Sequence, residues 1–112
     1  MNRTVLIICS NRIDAQLIEF VARPARVTQI DGKLPIETLR EVTRADKFDG
    51  AIIHLPNQIE KAVELKNFLH AVRYHARIRI LPMTYGGAHL LSPAWKNIVR
   101  YVAHQSRKKV VQ

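Results

Sequence analysis

The run Thr4–Cys9 (TVLIIC) is apolar almost throughout and rich in β-branched side chains. An uninterrupted apolar run of this length is typical of a strand that is covered on both faces of a parallel sheet. A second run of this kind, Ala51–Leu55 (AIIHL), is preceded by the turn signal Asp49–Gly50 and followed by Pro56. We therefore predict that the two runs are buried, central strands.

The segments that surround the first run alternate between helical and strand patterns. Asn11 is suited to cap a helix, and that helix must stop before Pro24. Arg26–Ile30 predicts a short strand that ends at the Asp31–Gly32 turn signal. Pro35 then suits the first position of a second helix. The apolar positions at helical spacing are Ala15, Leu17, Ile18, Val21 and Ala22 in the first helix and Ile36, Leu39 and Val42 in the second.

The second half of the chain continues this alternation. A long helix is predicted from Gln58 to about Tyr74, followed by a strand over Arg77–Met83. Charged and apolar residues alternate in that strand, and Pro82 cannot donate a ladder hydrogen bond, so we expect it at an edge of the sheet. Ser92–Pro93 is a helix start, with a cap followed by proline. The expected inward-facing residues are Ile59, Ala62, Val63, Leu69 and Val72 in the long helix and Trp95, Ile98, Val99 and Val102 in the last.

Strands and helices therefore alternate four times along the chain. This order predicts the α/β class, with an open parallel sheet, helices on both of its faces and right-handed crossovers. Because the first and third strands are the most apolar and the fourth is half-charged, we predict the strand order 2-1-3-4. We expect one domain over residues 1–104 and a basic C-terminal tail or linker over residues 105–112.

The charge of the chain is strongly uneven. Among its 112 residues, 18 are Lys or Arg and nine are Asp or Glu, which gives a net charge of +9. Residues 1–56 hold eight basic and seven acidic groups, whereas residues 57–112 hold ten and two, and no acidic residue follows Glu64. Such an excess favours anionic partners, although a solvated basic face with no specific role gives the same composition.

The compartment follows from what the sequence lacks. Cys9 is the one cysteine, so no internal disulfide can form, and a reducing compartment suits a lone thiol. No apolar run approaches the roughly 20 residues of a membrane-spanning helix, and the N-terminus lacks the pattern of a signal peptide. We predict a cytoplasmic protein without membrane contact.

Two stretches carry a resemblance to a known family. Lys47–Pro56 (KFDGAIIHLP) and Ile78–Thr84 (IRILPMT) resemble the third and fourth strands of response-regulator receiver domains, and the resemblance covers roughly residues 4–87. It implies a flavodoxin-like α/β fold. In that family the third strand ends on an aspartate that accepts a phosphoryl group, and the fourth ends on a hydroxyl residue that senses it. An acidic pair after the first strand holds Mg²⁺.

At the corresponding positions this chain lacks most of those groups. The acidic pair falls near Cys9 and Ser10, the phosphoacceptor position falls on His54, and only Thr84 has the expected side chain. A fifth strand has no convincing counterpart. Because Mg²⁺ prefers oxygen ligands that usually include a carboxylate, we predict a degenerate pocket without metal or cofactor. His54 itself could accept phosphate, since imidazole is a nucleophile, but a histidine hydrogen-bonded at the end of the sheet is the simpler interpretation.

Other chemical signatures are weak. His70 and His75 lie about 140° apart on an ideal helix, and with His89 and His104 they do not form a metal set. The position of Cys9 in an apolar strand end favours a packed thiol over a nucleophile. No phosphate-binding glycine motif is present, and Gly86–Gly87 is typical of a turn. We predict no enzymatic activity.

The basic residues of the second half provide the best candidate for a binding surface. Lys96, Arg100 and His104 are four apart on the last helix, and Arg77 and Arg79 lie on the edge strand. The expected partner-binding residues are Arg77, Arg79, Lys96, Arg100, Arg107, Lys108 and Lys109. In receiver domains the fourth strand and fourth helix dock dimers and output partners. The leading hypothesis is a phosphorylation-independent regulatory module that binds a protein or itself in signalling or transcriptional control.

Two alternatives remain open at the level of sequence. The same basic face could bind the phosphates of nucleic acid without sequence specificity, with Tyr101 as the one candidate for base stacking. A small enzyme with its pocket at the carboxyl ends of the strands is the third possibility, because open α/β sheets bind ligands there.

Overall fold

A computed structural model describes residues 3–45, 47–81 and 92–104, and they alternate between strand and helix as predicted. The elements are β1 (Thr4–Cys9), α1 (Arg12–Ala22), β2 (Arg26–Asp31), α2 (Ile36–Ala45), β3 (Gly50–His54), α3 (Ile59–Val72), β4 (Arg77–Ile80) and α4 (Pro93–Ala103). All pairings are parallel and the strand order is β2-β1-β3-β4. The predicted fold class and strand order are therefore confirmed.

The sheet is covered on both faces because successive residues of β1 point to opposite sides. Val5, Ile7 and Cys9 pack in a core with α1 and α4, whereas Leu6 and Ile8 pack in a second core with α2 and α3. All of β3 is buried as well. Each fully buried branched side chain contributes about 1.5–3 kcal/mol, so the two apolar runs supply much of the stability of the fold.

The start of α1 and both ends of α4 are held by specific hydrogen bonds. The side chain of Asn11 accepts from the amide of Asp14 at 3.0 Å, as its predicted capping role requires. Ser92 caps α4 by accepting from the amide of Trp95, and Pro93 occupies the first turn. At the other end of α4, Arg3 and Arg77 donate to carbonyls that the helix leaves unpaired. The C-terminus of α4 is thus fixed to the first residues of β1 and β4.

The structure differs from the sequence-based expectation in α3 and β4. Ile59 and Val63, which we expected to face the core, are 58% and 44% exposed. A helical period identifies an apolar stripe but not its width, and these residues lie on a flank that no other described helix covers. The strand β4 ends at Ile80, short of the predicted Met83. Residues 82–91, which include Thr84 and His89, and the tail 105–112 lie outside the described residues.

None of the helices in the described parts of the chain is long and apolar enough to cross a membrane.

Candidate functional site

The carboxyl ends of β1 and β3 bring Cys9 and His54 side by side, as paired residues of the parallel ladder. His54 is completely buried. Its ring meets that of Trp95 edge-on, with centroids 5.0 Å apart and an interplanar angle of 77°. Its Nε2 atom lies 3.4 Å from Oδ2 of Asp14, which stands in the first turn of α1. Three elements therefore enclose this histidine.

The contact between His54 and Asp14 is a close approach of an imidazole and a carboxylate rather than a well-formed hydrogen bond. The separation is within ion-pair range, but neither ring nitrogen of His54 has a hydrogen-bond partner of acceptable geometry in the described residues. A separation of 3.4 Å is long for a charge-assisted hydrogen bond, so the two side chains lie close together without forming one. The pair as it stands is not arranged to relay a proton to an external substrate, since His54 has no accessible surface.

The environment of Cys9 keeps its thiol protonated. The side chain is 5% exposed and Sγ donates to the carbonyl of Asn11 at 3.2 Å. Burial raises the pKa of Cys9, the bond to Asn11 opposes this, and the nearby charge of Asp14 raises the pKa further. Because the thiolate is the form that attacks electrophiles and binds metals, Cys9 acts as a packed apolar side chain.

Ser10 and Cys9 line a cleft of 320 Å³ at the ends of β1 and β2, and His54 is not part of its lining. Arg12 and Lys33 contribute positive charge to this cleft and Asp31 contributes a carboxylate. The carboxylate is already engaged, since Oδ1 of Asp31 accepts from the amide of Lys33 at 2.9 Å. Within the described residues, no group of three or more His, Cys, Asp or Glu side chains could hold a metal ion. Of the predicted pocket residues, Cys9 and His54 are paired in the ladder, Ser10 lines the cleft together with Cys9, and Thr84 lies outside the described residues.

The predicted binding arginines of β4 gather around a single aromatic ring. The guanidinium carbons of Arg77 and Arg79 lie 4.8 Å and 4.6 Å from the ring centroid of Tyr101 on α4. Arg77 donates to the carbonyls of Tyr101 and His104, at 2.7 Å and 2.9 Å. Its positive charge therefore stabilises the C-terminus of α4. Arg79 is exposed and donates to the carbonyl of Ile78, on its own strand, at 3.0 Å.

The basic residues of α4 do not form one face with those of β4. Nε2 of His104 lies 2.8 Å from the carbonyl oxygen of Arg23, so this ring turns toward the end of α1. Lys96 and Arg100 lie about 140° and about 100° around the helix from Tyr101, and of the two only Arg100 is exposed. We therefore define the β4–α4 surface by Arg79, Arg100 and Tyr101. The predicted tail residues Arg107, Lys108 and Lys109 lie outside the described residues.

Within the described residues, no acidic side chain forms an ion pair with this surface. The ion pairs recorded among the described residues, Arg40–Glu64 and His54–Asp14, both lie elsewhere. Tyr101 is 46% exposed even though two guanidinium groups stack on it. An exposed cluster of this composition is typical of the rim and anchors of protein interfaces, where Tyr and Arg are enriched.

Sequence analysis missed the role of Asp14 and Trp95 beside His54. Asp14 is 40 positions from His54 in sequence and has a sufficient local role in the first turn of α1. The signal that could have found it is topological. When the first and third strands are neighbours, the helix that follows the first strand begins over the end of the third.

No protein-family model matches the chain, and comparisons with curated proteins and with solved structures found no match. The parallel sheet in the order 2-1-3-4 is consistent with a flavodoxin-like fold. The resemblance to receiver domains remains a prediction from the quoted residues.

Proposed function

We propose that the protein is a non-catalytic, receiver-like regulatory module of the cytoplasm that docks on a protein partner, or on a second copy of itself, through the β4–α4 surface. The observation that carries the proposal is the exposed Arg79, which stacks on Tyr101 at the edge of the described sheet, together with the exposed Arg100 on the same helix as Tyr101. Neither arginine forms an ion pair within the described residues. Signalling and transcriptional control are the processes in which such a module would act. The lone protonated thiol of Cys9 supports a reducing compartment.

A role without phosphorylation is supported by the state of the equivalent pocket. Where receiver domains carry an accessible aspartate, this chain has His54, a ring that solvent does not reach. The neighbouring groups are the thiol of Cys9 and the single carboxylate of Asp14, which is a poor ligand set for Mg²⁺. At this point the described residues offer a phosphoryl donor no exposed nucleophile and only one carboxylate as a cation ligand.

Docking on protein is favoured over nucleic acid by the state of Tyr101. A base stacks on an open aromatic face, but the guanidinium groups of Arg77 and Arg79 already lie over this ring. Arg77 is further tied to two carbonyls of α4 and cannot turn toward a phosphate without releasing them. Carboxylates of a partner protein can accept hydrogen bonds from the outer N–H groups of the arginines while the guanidinium groups stay stacked on the ring.

The test compares the double variant Arg79→Glu/Arg100→Glu with the control Arg26→Glu, an exposed arginine on the opposite edge strand β2. Self-association is measured by size exclusion with light scattering, and partner binding by cross-linking with mass-spectrometric identification. The proposal expects association to be lost in the double variant and kept in the control. It fails if the wild-type chain neither self-associates nor retains a partner, or if both variants lose binding equally. Nucleic acid that binds tightly at low salt and is released steeply by added salt would favour the alternative instead.

A further inference from the structure

The strand β4 has backbone groups that pair with no other strand of the described sheet. The amides of Arg77 and Leu81 donate to the carbonyls of Asp49 and Ile53 on the β3 side, at 3.1 Å and 2.8 Å. Backbone groups alternate in direction along a strand of a parallel ladder. The amides and carbonyls of Ile78 and Ile80 therefore point away from β3, toward the open edge.

The two sides of this edge differ in chemistry. On the side of α4 stand Arg77 and Arg79, stacked on Tyr101. On the side of α3, Ile78 is buried in the second core and Ile80 packs against it. A strand that paired with β4 would present its own side chains alternately to these two sides.

The apolar side extends onto the flank of α3. Glu64 forms an ion pair with Arg40 and so marks the flank of α3 that contacts α2. Ile59 lies about 140° and Val63 about 100° around the helix from Glu64. Because α3 packs over β4 and its opposite flank contacts α2, helix geometry places these exposed residues on the flank beside the edge. An apolar side chain placed there would cover them.

The side chain of Arg79 covers part of this open edge. Its guanidinium group donates to the carbonyl of Ile78, one of the outward-facing backbone groups. A charged side chain folded over an edge is a known means of preventing unwanted strand pairing. The bond is partly buried but replaceable, since an incoming amide can donate to the carbonyl of Ile78 while the freed guanidinium group binds a carboxylate on the same incoming strand.

We infer that the open edge of β4 receives an extended segment of a partner protein in which acidic and apolar residues alternate. The acidic side chains contact Arg79 and the Tyr101 side, the apolar ones cover Ile59 and Val63, and the backbone pairs with Ile78 and Ile80. This inference rests on the proposed docking function and specifies its partner and its mode of binding.

The test uses the full chain and synthetic peptides of about six residues, a typical strand length. In the first peptide glutamate and valine alternate. The second has the same composition with the glutamates grouped together, and the third has the first sequence with N-methyl groups on the amides of one edge. Binding is followed by NMR titration, and hydrogen exchange reports on the amides of Ile78 and Ile80. Arg79→Glu and the control Arg26→Glu are titrated in parallel.

The inference expects the alternating peptide to bind best and to protect the amides of Ile78 and Ile80 from exchange, with N-methylation abolishing both effects. Arg79→Glu should weaken this binding about tenfold or more, and Arg26→Glu should not. Equal binding of the alternating and grouped peptides without amide protection would overturn strand pairing and leave docking through surface charge intact. Absence of binding, or amides already protected in the isolated chain, would overturn the inference alone. The double-variant experiment on the natural partner still decides the proposed function.

Discussion

Arg77 and Arg79 stand two residues apart on β4 and stack on the same ring, yet the structure assigns them different consequences. Arg77→Gln removes two hydrogen bonds from the end of α4, to the carbonyls of Tyr101 and His104. Hydrogen bonds from a charged donor contribute about 1.5–3 kcal/mol when buried, but this site is partly open to solvent, so the lower end of that range applies. We expect Arg77→Gln to lower the free energy of unfolding by about 1–2 kcal/mol.

The matched variant Arg79→Gln gives up one partly buried bond to its own strand and the stacking on Tyr101, and it should lower the free energy of unfolding by about 0.5–1 kcal/mol, less than Arg77→Gln. Urea unfolding of both variants, followed by circular dichroism, measures the difference, and the slope of the transition should not change. Partner binding should show the reverse order: Arg79→Gln should weaken partner binding more than Arg77→Gln does, although it destabilises the fold less. Equal destabilisation by the two variants would refute the assignment of Arg77 to the fold and Arg79 to docking.

Three further predictions concern the sheet and its carboxyl end. Gly50→Ala places a Cβ atom 2.6 Å from Cγ1 and 2.9 Å from the carbonyl oxygen of Val102, so it should cost about 1–3 kcal/mol in urea unfolding, and Val102→Ala should recover only part of that loss. The pKa of the Cys9 thiol is raised in the folded chain, so the thiol of the unfolded chain ionises at lower pH. The contribution of Cys9 to the free energy of unfolding is therefore complete at neutral pH and declines as the pH rises above about 8.5. The gap in unfolding free energy between the wild-type chain and Cys9→Ala should therefore narrow in alkaline buffer, and a constant gap would contradict the burial of the thiol. His54→Leu should change stability by about 1 kcal/mol or less because no hydrogen bond is lost, whereas a loss of about 3–5 kcal/mol would show that Asp14 and His54 form a true buried ion pair.

The fold could be predicted from the sequence because its central strands are continuously apolar. Thr4–Cys9 and Ala51–Leu55 leave no polar face for solvent, and the alternation in Arg77–Ile80 identifies an edge strand. The same reasoning failed for Ile59 and Val63. Their spacing fits a buried helical face, but burial depends on which elements lie beside the helix, and a local pattern does not contain that information.

The candidate site was less predictable because its contacts are distant in sequence. Asp14 reaches His54 only because β1 and β3 are neighbours, and each residue also has a plausible local role. The same holds for Arg77, whose pattern predicted an exposed, partner-binding charge and whose guanidinium group caps a helix that begins 16 positions later. A charged residue in an alternating strand indicates an open edge. The pattern does not reveal whether that charged group already forms hydrogen bonds within the fold.

The chemistry of the β4 edge bears on whether the partner is another copy of the chain. Carboxylates two positions apart in sequence would lie on one side of a strand, where they could meet Arg79 and its neighbours. No two acidic residues in the chain have this spacing, and the exposed side chains of the other edge strand, β2, include Arg26 and Thr28. The exposed side chains of β2 also include Asp31, but a second copy offers no segment with carboxylates at alternate positions. The segment that pairs with β4 must belong to a different protein, and mixing with that protein, rather than concentrating the purified chain, is the condition under which Ile78 and Ile80 should become protected from exchange.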